Sequence, residues 1–148
     1  ATAGEDADLA MRALETGCGA VFAEGAVVNH SVEVHSFSRA MKGTKRWASL
    51  VPLVGRHQQL RRAFLWRGFI WRESHWRLIL AVAGIGLFRL TGRRQFLLWV
   101  VPYLTLRNGW YPDGLLRTLT SLPKTVPVDA AEIFVLAKAS AREGRLLL

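Results

Sequence analysis

Leu9, Ala13 and Leu14 recur at a spacing that places them on one face of a helix over residues 5 to 16. Glu5, Asp6 and Asp8 crowd its first turn, where the helix dipole favours acids, and Gly17 suits a left-handed stop. Ala20 to Phe22 and Ala26 to His30 are short apolar, β-branched runs separated by Glu24-Gly25. They predict two short strands, or a strand and an extended segment. Helical spacing returns from Phe37 to Leu50 and from Pro52 to Trp66, with Pro52 acceptable in a first turn.

From Trp76 the character changes. Trp76 to Leu90 is apolar apart from Arg77 and Arg89, Thr91-Gly92-Arg93-Arg94 reads as a turn, and Phe96 to Leu106 is a second apolar run that contains Pro102. As helices these runs are about 22 Å and 16 Å long, against a hydrocarbon core of about 30 Å. Trp66, Trp71, Trp76, Trp99, Trp110 and Tyr111 stand among arginines, a mixture suited to the headgroup level of a bilayer. The pattern favours a shallow helical hairpin or interfacial helices over two full crossings; two core helices of a soluble bundle are the plain alternative. A short helix near Leu115 to Leu122 and, past Pro123 and Pro127, a final helix from Val128 to Arg142 complete the chain. Ala131, Phe134, Val135 and Lys138 fall at helical spacing in that last helix.

Charge sharpens this picture. The chain has 148 residues and a formal net charge of +9, from 20 Lys and Arg against 11 Asp and Glu. Ten of those basic residues lie between Arg39 and Arg77 against one acid, Glu73, so this segment carries the whole net charge while the remainder balances. Its partner is expected to be anionic: a phosphate-rich lipid surface, nucleic acid or a phosphorylated substrate. Cys18 is the only cysteine, which excludes an internal disulfide and a cysteine-rich zinc site. The start, Ala-Thr-Ala-Gly, has neither an initiator Met nor the pattern of a signal peptide, and reads as the start of a fragment.

The candidate chemistry lies in Gly4-Glu5-Asp6-Ala7-Asp8-Leu9-Ala10-Met11-Arg12-Ala13-Leu14-Glu15-Thr16-Gly17. Alone, first-turn acids stabilise a helix by about 0.3 to 1 kcal/mol each, and Asp8 can pair with Arg12 one turn on. In company with a helix-ending Gly, two short extended segments and then a His, the stretch resembles the second half of the catalytic domain of family 2 (GT-A type) glycosyltransferases. The matching residues are Glu5, Asp6, Asp8, Leu9, Arg12, Gly17 and His30. The resemblance spans residues 4 to 30 and continues loosely to residue 110. That later basic, Trp-rich sequence is similar to the region C-terminal to the catalytic domain in bacterial members that work at membranes.

The resemblance implies a fold that is mainly α with a few short strands, the C-terminal fragment of an α/β GT-A domain followed by membrane-associated helices. Residues 1–35 would belong to the catalytic domain, 36–75 to a basic amphipathic segment, 76–107 to an apolar hairpin and 108–148 to C-terminal helices of unknown role. It implies that Asp6 is the catalytic base and His30 a metal ligand, with Glu5, Asp8 and Arg12 in acceptor binding. It further implies an inverting transfer from a nucleotide-sugar donor to a polyprenyl-linked or envelope-glycan acceptor. That transfer would take place on the cytoplasmic side of the cell membrane, beside anionic lipid.

A divalent metal, Mn or Mg, is expected in the full-length enzyme and none in this fragment alone. The family's donor-binding half, with its Asp-x-Asp metal motif, is missing, since Asp6-Ala7-Asp8 lies inside the helix motif, and no phosphate-binding glycine loop replaces it. The competing reading is a non-enzymatic, basic membrane-anchoring or nucleic-acid-binding module, in which Trp and Arg would stack bases and track phosphates. The apolar stretch from Trp76 to Leu106 argues against nucleic acid as the partner.

Overall fold

The computed structural model describes residues 4–27, 29, 36–105 and 114–148. The chain is mainly helical, as its spacing predicts. Helix α1 spans Glu5–Glu15, α2 Phe37–Gly43, α3 Leu50–Arg56, α4 Gln58–Phe64, α5 Glu73–Thr91, α6 Val101–Thr105 and α7 Gly114–Glu143. Two 3₁₀ segments, Thr44–Ser49 and Arg94–Val100, join α2 to α3 and lead into α6. Ser36 caps α2 by accepting a hydrogen bond from the Arg39 amide at 3.3 Å. Gly17 and Gly92, with φ of 88° and 70°, make the left-handed turns that end α1 and α5 where the sequence predicts stops.

Several features depart from the sequence expectations, among them the helix expected from Phe37 to Leu50, which gives way to the 3₁₀ segment at Thr44. Residues 20 to 27 form no strand, and Val21, Phe22 and Val27 are exposed. An extended segment becomes a strand only when a neighbour takes its backbone hydrogen bonds, and among the described residues the sole β-bridge joins Trp66 to Ile70. The helix expected from Pro52 to Trp66 breaks at His57, whose backbone is extended (φ −112°, ψ 90°). The two helices expected around Pro123 and Pro127 are a single one, with both prolines inside α7. An interior proline costs a helix about 3 kcal/mol. Packing on either side of the pair offsets that cost: Leu122 and Val126 lie against α5 and α6, and Leu136 and Ala139 against α3.

Helix α7 is the element shared by two apolar cores. One gathers Leu50, Val51, Leu53 and Val54 of α3 with Leu65, Leu136, Ala139 and Leu147, and Ala7 of α1 packs on its edge. The other joins Leu78 and Ala81 of α5 to Tyr103 of α6, with Val126 and Ile133 from α7. The inward face of α7 differs from the expected one, for Phe134 is 67% exposed while Asp129 and Glu132 are buried. Partners from other elements make that burial possible. At the C-terminus the chain folds back, so that the Trp71 amide donates to the Leu148 carbonyl at 2.6 Å and the Leu148 amide to the Phe69 carbonyl at 2.8 Å.

Helix α5 buries Ser74, His75, Leu78, Ala81 and Gly84 and leaves Ile79, Val82, Ile85 and Leu90 exposed. Leu97, Leu98, Trp99 and Val101, in the segment that follows, are exposed as well. Among the described residues no helix is long and apolar enough to cross a membrane.

Candidate functional site

Gly4 opens α1 with φ of 90°, and a Cβ there would stand 2.5 Å from Leu53 Cδ2. A residue other than glycine would be strained by its backbone and would push the end of the Leu53 side chain aside. Helix α1 turns Ala7, Asp8 and Met11 toward the body, with Met11 buried, and leaves Glu5, Asp6 and Leu9 outside. The Leu9–Leu14 face predicted to pack is therefore largely exposed, because charge pairing sets the rotation of the helix.

Asp8 is the centre of that pairing. Its Oδ2 meets Arg12 Nε at 3.2 Å, one turn on, as the i,i+4 spacing predicts. Its Oδ1 accepts from Arg56 Nη1 at 2.8 Å and faces His57 Nε2 at 3.0 Å. The other ring nitrogen, His57 Nδ1, lies 2.8 Å from Glu15 Oε1. His57 is 1% exposed, so the ring is enclosed between two carboxylates of one helix.

The hydrogen bond with His57, reinforced by Arg56, holds the Asp8 carboxyl below its ordinary range. The same bond to Asp8, together with Glu15, pushes the His57 imidazole above its ordinary value despite the opposing effect of burial. Of the acceptor-binding candidates, Asp8 thus serves the docking of α1, Arg12 pairs with it within the helix, and Glu5 lies on the outer face. Asp6, the candidate base, is also exposed, two residues and about half a turn from the docked carboxylate of Asp8. His30 lies outside the described residues.

A second polar cluster, unanticipated from the sequence, separates the two apolar cores. Glu132 Oε1 accepts from Trp47 Nε1 at 3.0 Å, and Oε2 meets Arg72 Nη1 at 3.1 Å and His75 Nε2 at 3.2 Å. Tyr103 donates its hydroxyl to Asp129 Oδ2 at 2.8 Å. His75, Asp129 and Glu132 are all buried, and one candidate ligand atom from each lies within 4.8 Å of the others. This trio is the arrangement among the described residues able to gather on a divalent ion. Such an ion would have to displace Arg72 from Glu132. It would also enter past Arg39, Arg46 and Arg72, which line the groove of about 550 Å³ over Glu132. His75 Nδ1 is buried without a hydrogen-bond partner, whereas a metal-bound imidazole ordinarily donates its second N–H to an acceptor. The donors already present fit a structural hub better than a metal centre.

The only sequence signal for this hub is the i,i+3 pair Asp129 and Glu132 in an otherwise apolar stretch of α7. His57 carries no local signal, since its partners lie 42 and 49 positions away. Comparison of the chain with family models, with curated proteins and with solved structures finds no match.

Proposed function

We propose that this chain is the acceptor-side part of an inverting glycosyltransferase that moves a sugar from a nucleotide-sugar donor to a lipid-linked or cell-envelope acceptor at a membrane surface. The observation that carries the reading is the division of labour along α1. Asp8 is committed to Arg12, Arg56 and His57, while Asp6 stands exposed in the first turn of the helix so docked. A rigidly held, solvent-facing carboxylate is the group that general-base transfer requires. In that reaction the acceptor hydroxyl oxygen bonds to the anomeric carbon as the bond to the nucleoside diphosphate breaks. The hydroxyl proton passes to Asp6. By the resemblance, His30 would help hold the divalent metal.

The membrane part of the reading is supported by the exposed apolar residues of α5 and the following 3₁₀ segment, flanked by Arg89, Arg93 and Arg94. The alternative, a non-enzymatic membrane-anchoring module, draws on the same surface and differs only at Asp6. In a protein that includes the donor-binding half, Asp6→Asn is expected to leave donor binding near wild type. Turnover should fall by about 10² to 10⁴. Turnover within a few-fold of wild type would sink the assignment and leave the anchoring reading.

A further inference from the structure

Both ring nitrogens of His57 face carboxylate oxygens, at 2.8 Å and 3.0 Å. An ionised carboxylate only accepts hydrogen bonds, and a neutral imidazole has a single N–H to give. The neutral ring would turn a lone pair toward either Asp8 or Glu15. Only the imidazolium donates to both. The anchor is stiff on its own side: the His57 amide donates to the Leu53 carbonyl at 3.0 Å and the His57 carbonyl accepts from the Leu60 amide at 3.1 Å.

We propose that His57 is a positioning residue whose protonated ring latches the carboxylate helix α1 onto the helical body and thereby fixes where Asp6 stands. The latch is a property of this chain. Its catalytic meaning rests on the reading of Asp6 as the base.

The surrounding charges set the working range. Asp8 and Glu15 face the ring from α1, Arg12 shares Asp8 from the same helix, Arg56 reaches Asp8 from α3, and Arg145 packs on Gly55 two residues before the ring. The acids prevail, since the His57 pKa is raised from its ordinary 6.5. A raised histidine contributes stability that is complete below that ordinary value and is lost as pH climbs through the folded-state pKa. On the acid side the limit is Asp8, whose pKa is lowered from 3.8. Its contribution is complete above that value and is lost as pH falls through the lowered one. The latch is therefore closed across the mildly acidic range and opens toward alkaline pH.

The test uses the 148-residue chain. Nitrogen-15 NMR of the His57 ring is recorded through pH 5 to 9, with amide hydrogen exchange of α1 and α5 expressed as protection relative to the unfolded chain. Both ring nitrogens are expected to carry protons at pH 6.5. Protection of the α1 amides should then fall as His57 titrates, by about tenfold for each unit of pKa displacement, while α5 stays level. His57→Gln, which can donate to one carboxylate and does not titrate, should lower α1 protection at pH 6 and leave it flat to pH 9. A ring half-neutral at or below pH 6.5 overturns the latch. So does α1 protection that ignores the titration, a fall shared equally by α5, or the same pH response in His57→Gln. Closed-latch results combined with full turnover in Asp6→Asn would refute the base assignment alone.

Discussion

Two glycines of α5, Gly84 and Gly86, have the same helical conformation and opposite surroundings. A Cβ on Gly84 would lie 2.5 Å from the Phe96 carbonyl oxygen and 2.7 Å from Trp99 Cβ, whereas one on Gly86 would meet nothing within 4 Å. Replacing either by alanine gains about 1 kcal/mol of helix propensity. That gain is common to both variants and cancels in their difference. What remains is the cost of forcing backbone and a ring-bearing Cβ apart at Gly84, about 1 to 3 kcal/mol for an overpacked contact. Gly86→Ala should therefore stabilise the chain, Gly84→Ala should be neutral to destabilising by roughly 2 kcal/mol, and the gap between them measures the closeness of α5 to the second 3₁₀ segment.

Urea denaturation followed by circular dichroism reads the gap directly. For a chain of this length each kcal/mol moves the melting temperature by roughly 3 °C, so thermal melts should separate the two variants by several degrees. Equal stabilisation by both substitutions would refute the reasoning. The second 3₁₀ segment would then not pack on α5 at Gly84 as Phe96 and Trp99 do here.

Glu132→Ala leaves Trp47 Nε1, Arg72 and the buried His75 without their common acceptor; a loss of about 3 to 5 kcal/mol in denaturant unfolding is expected, and a loss of less than about a third of that would show that the hub is dispensable. Glu132→Gln, which keeps an acceptor for the indole, should cost less. In vesicle flotation, capture by anionic vesicles should weaken with salt, and Val82→Asp with Leu98→Asp should release the chain. Equal recovery of wild type and variant with the vesicles would remove the apolar surface from the membrane reading.

Much of the helical order was legible because its signals are local. The first-turn acids and Gly17 bracket α1, and Gly92 ends α5, each through chemistry within a turn of the boundary. The rotation of those helices was not legible. Leu9 and Leu14 gave α1 an apolar face by spacing, yet the helix turns Asp8 inward because Arg56 and His57, far along the chain, meet it there. Similarly, Asp129 and Glu132 belong by composition to a solvated face, and Tyr103, Trp47, Arg72 and His75 draw them inside. Pro123 and Pro127 read as breakers since local cost is visible in sequence and packing on both sides of α7 is not. For the candidate site, the motif located α1 and Asp6, whereas the residue that holds the helix, His57, could be found only from the fold.

The folded arrangement also changes what the concentrated positive charge between Arg39 and Arg77 can do. Four of its arginines are engaged within the chain: Arg56 with Asp8, Arg72 with Glu132, Arg77 with Glu73 and the Pro102 carbonyl, and Arg61 with the carbonyls of Gly68 and Leu146. Arg46 and Arg67 lie over the rings of Trp47 and Trp66, contacts that leave their charge exposed. Lys42, Lys45 and Arg62 are exposed as well. An anionic surface would thus meet chiefly these five cations and the exposed Arg39 rather than all ten in the segment. At about 1 kcal/mol per basic residue near anionic lipid, before screening, the attraction is smaller than the sequence alone suggests. Electrostatics of that size would recruit the chain to such a surface but would not hold it once salt had screened the charges. Retention would then fall to the apolar residues of α5 and the second 3₁₀ segment, while two acids that would otherwise oppose the approach, Asp8 and Glu132, are paired with arginines of the same basic segment.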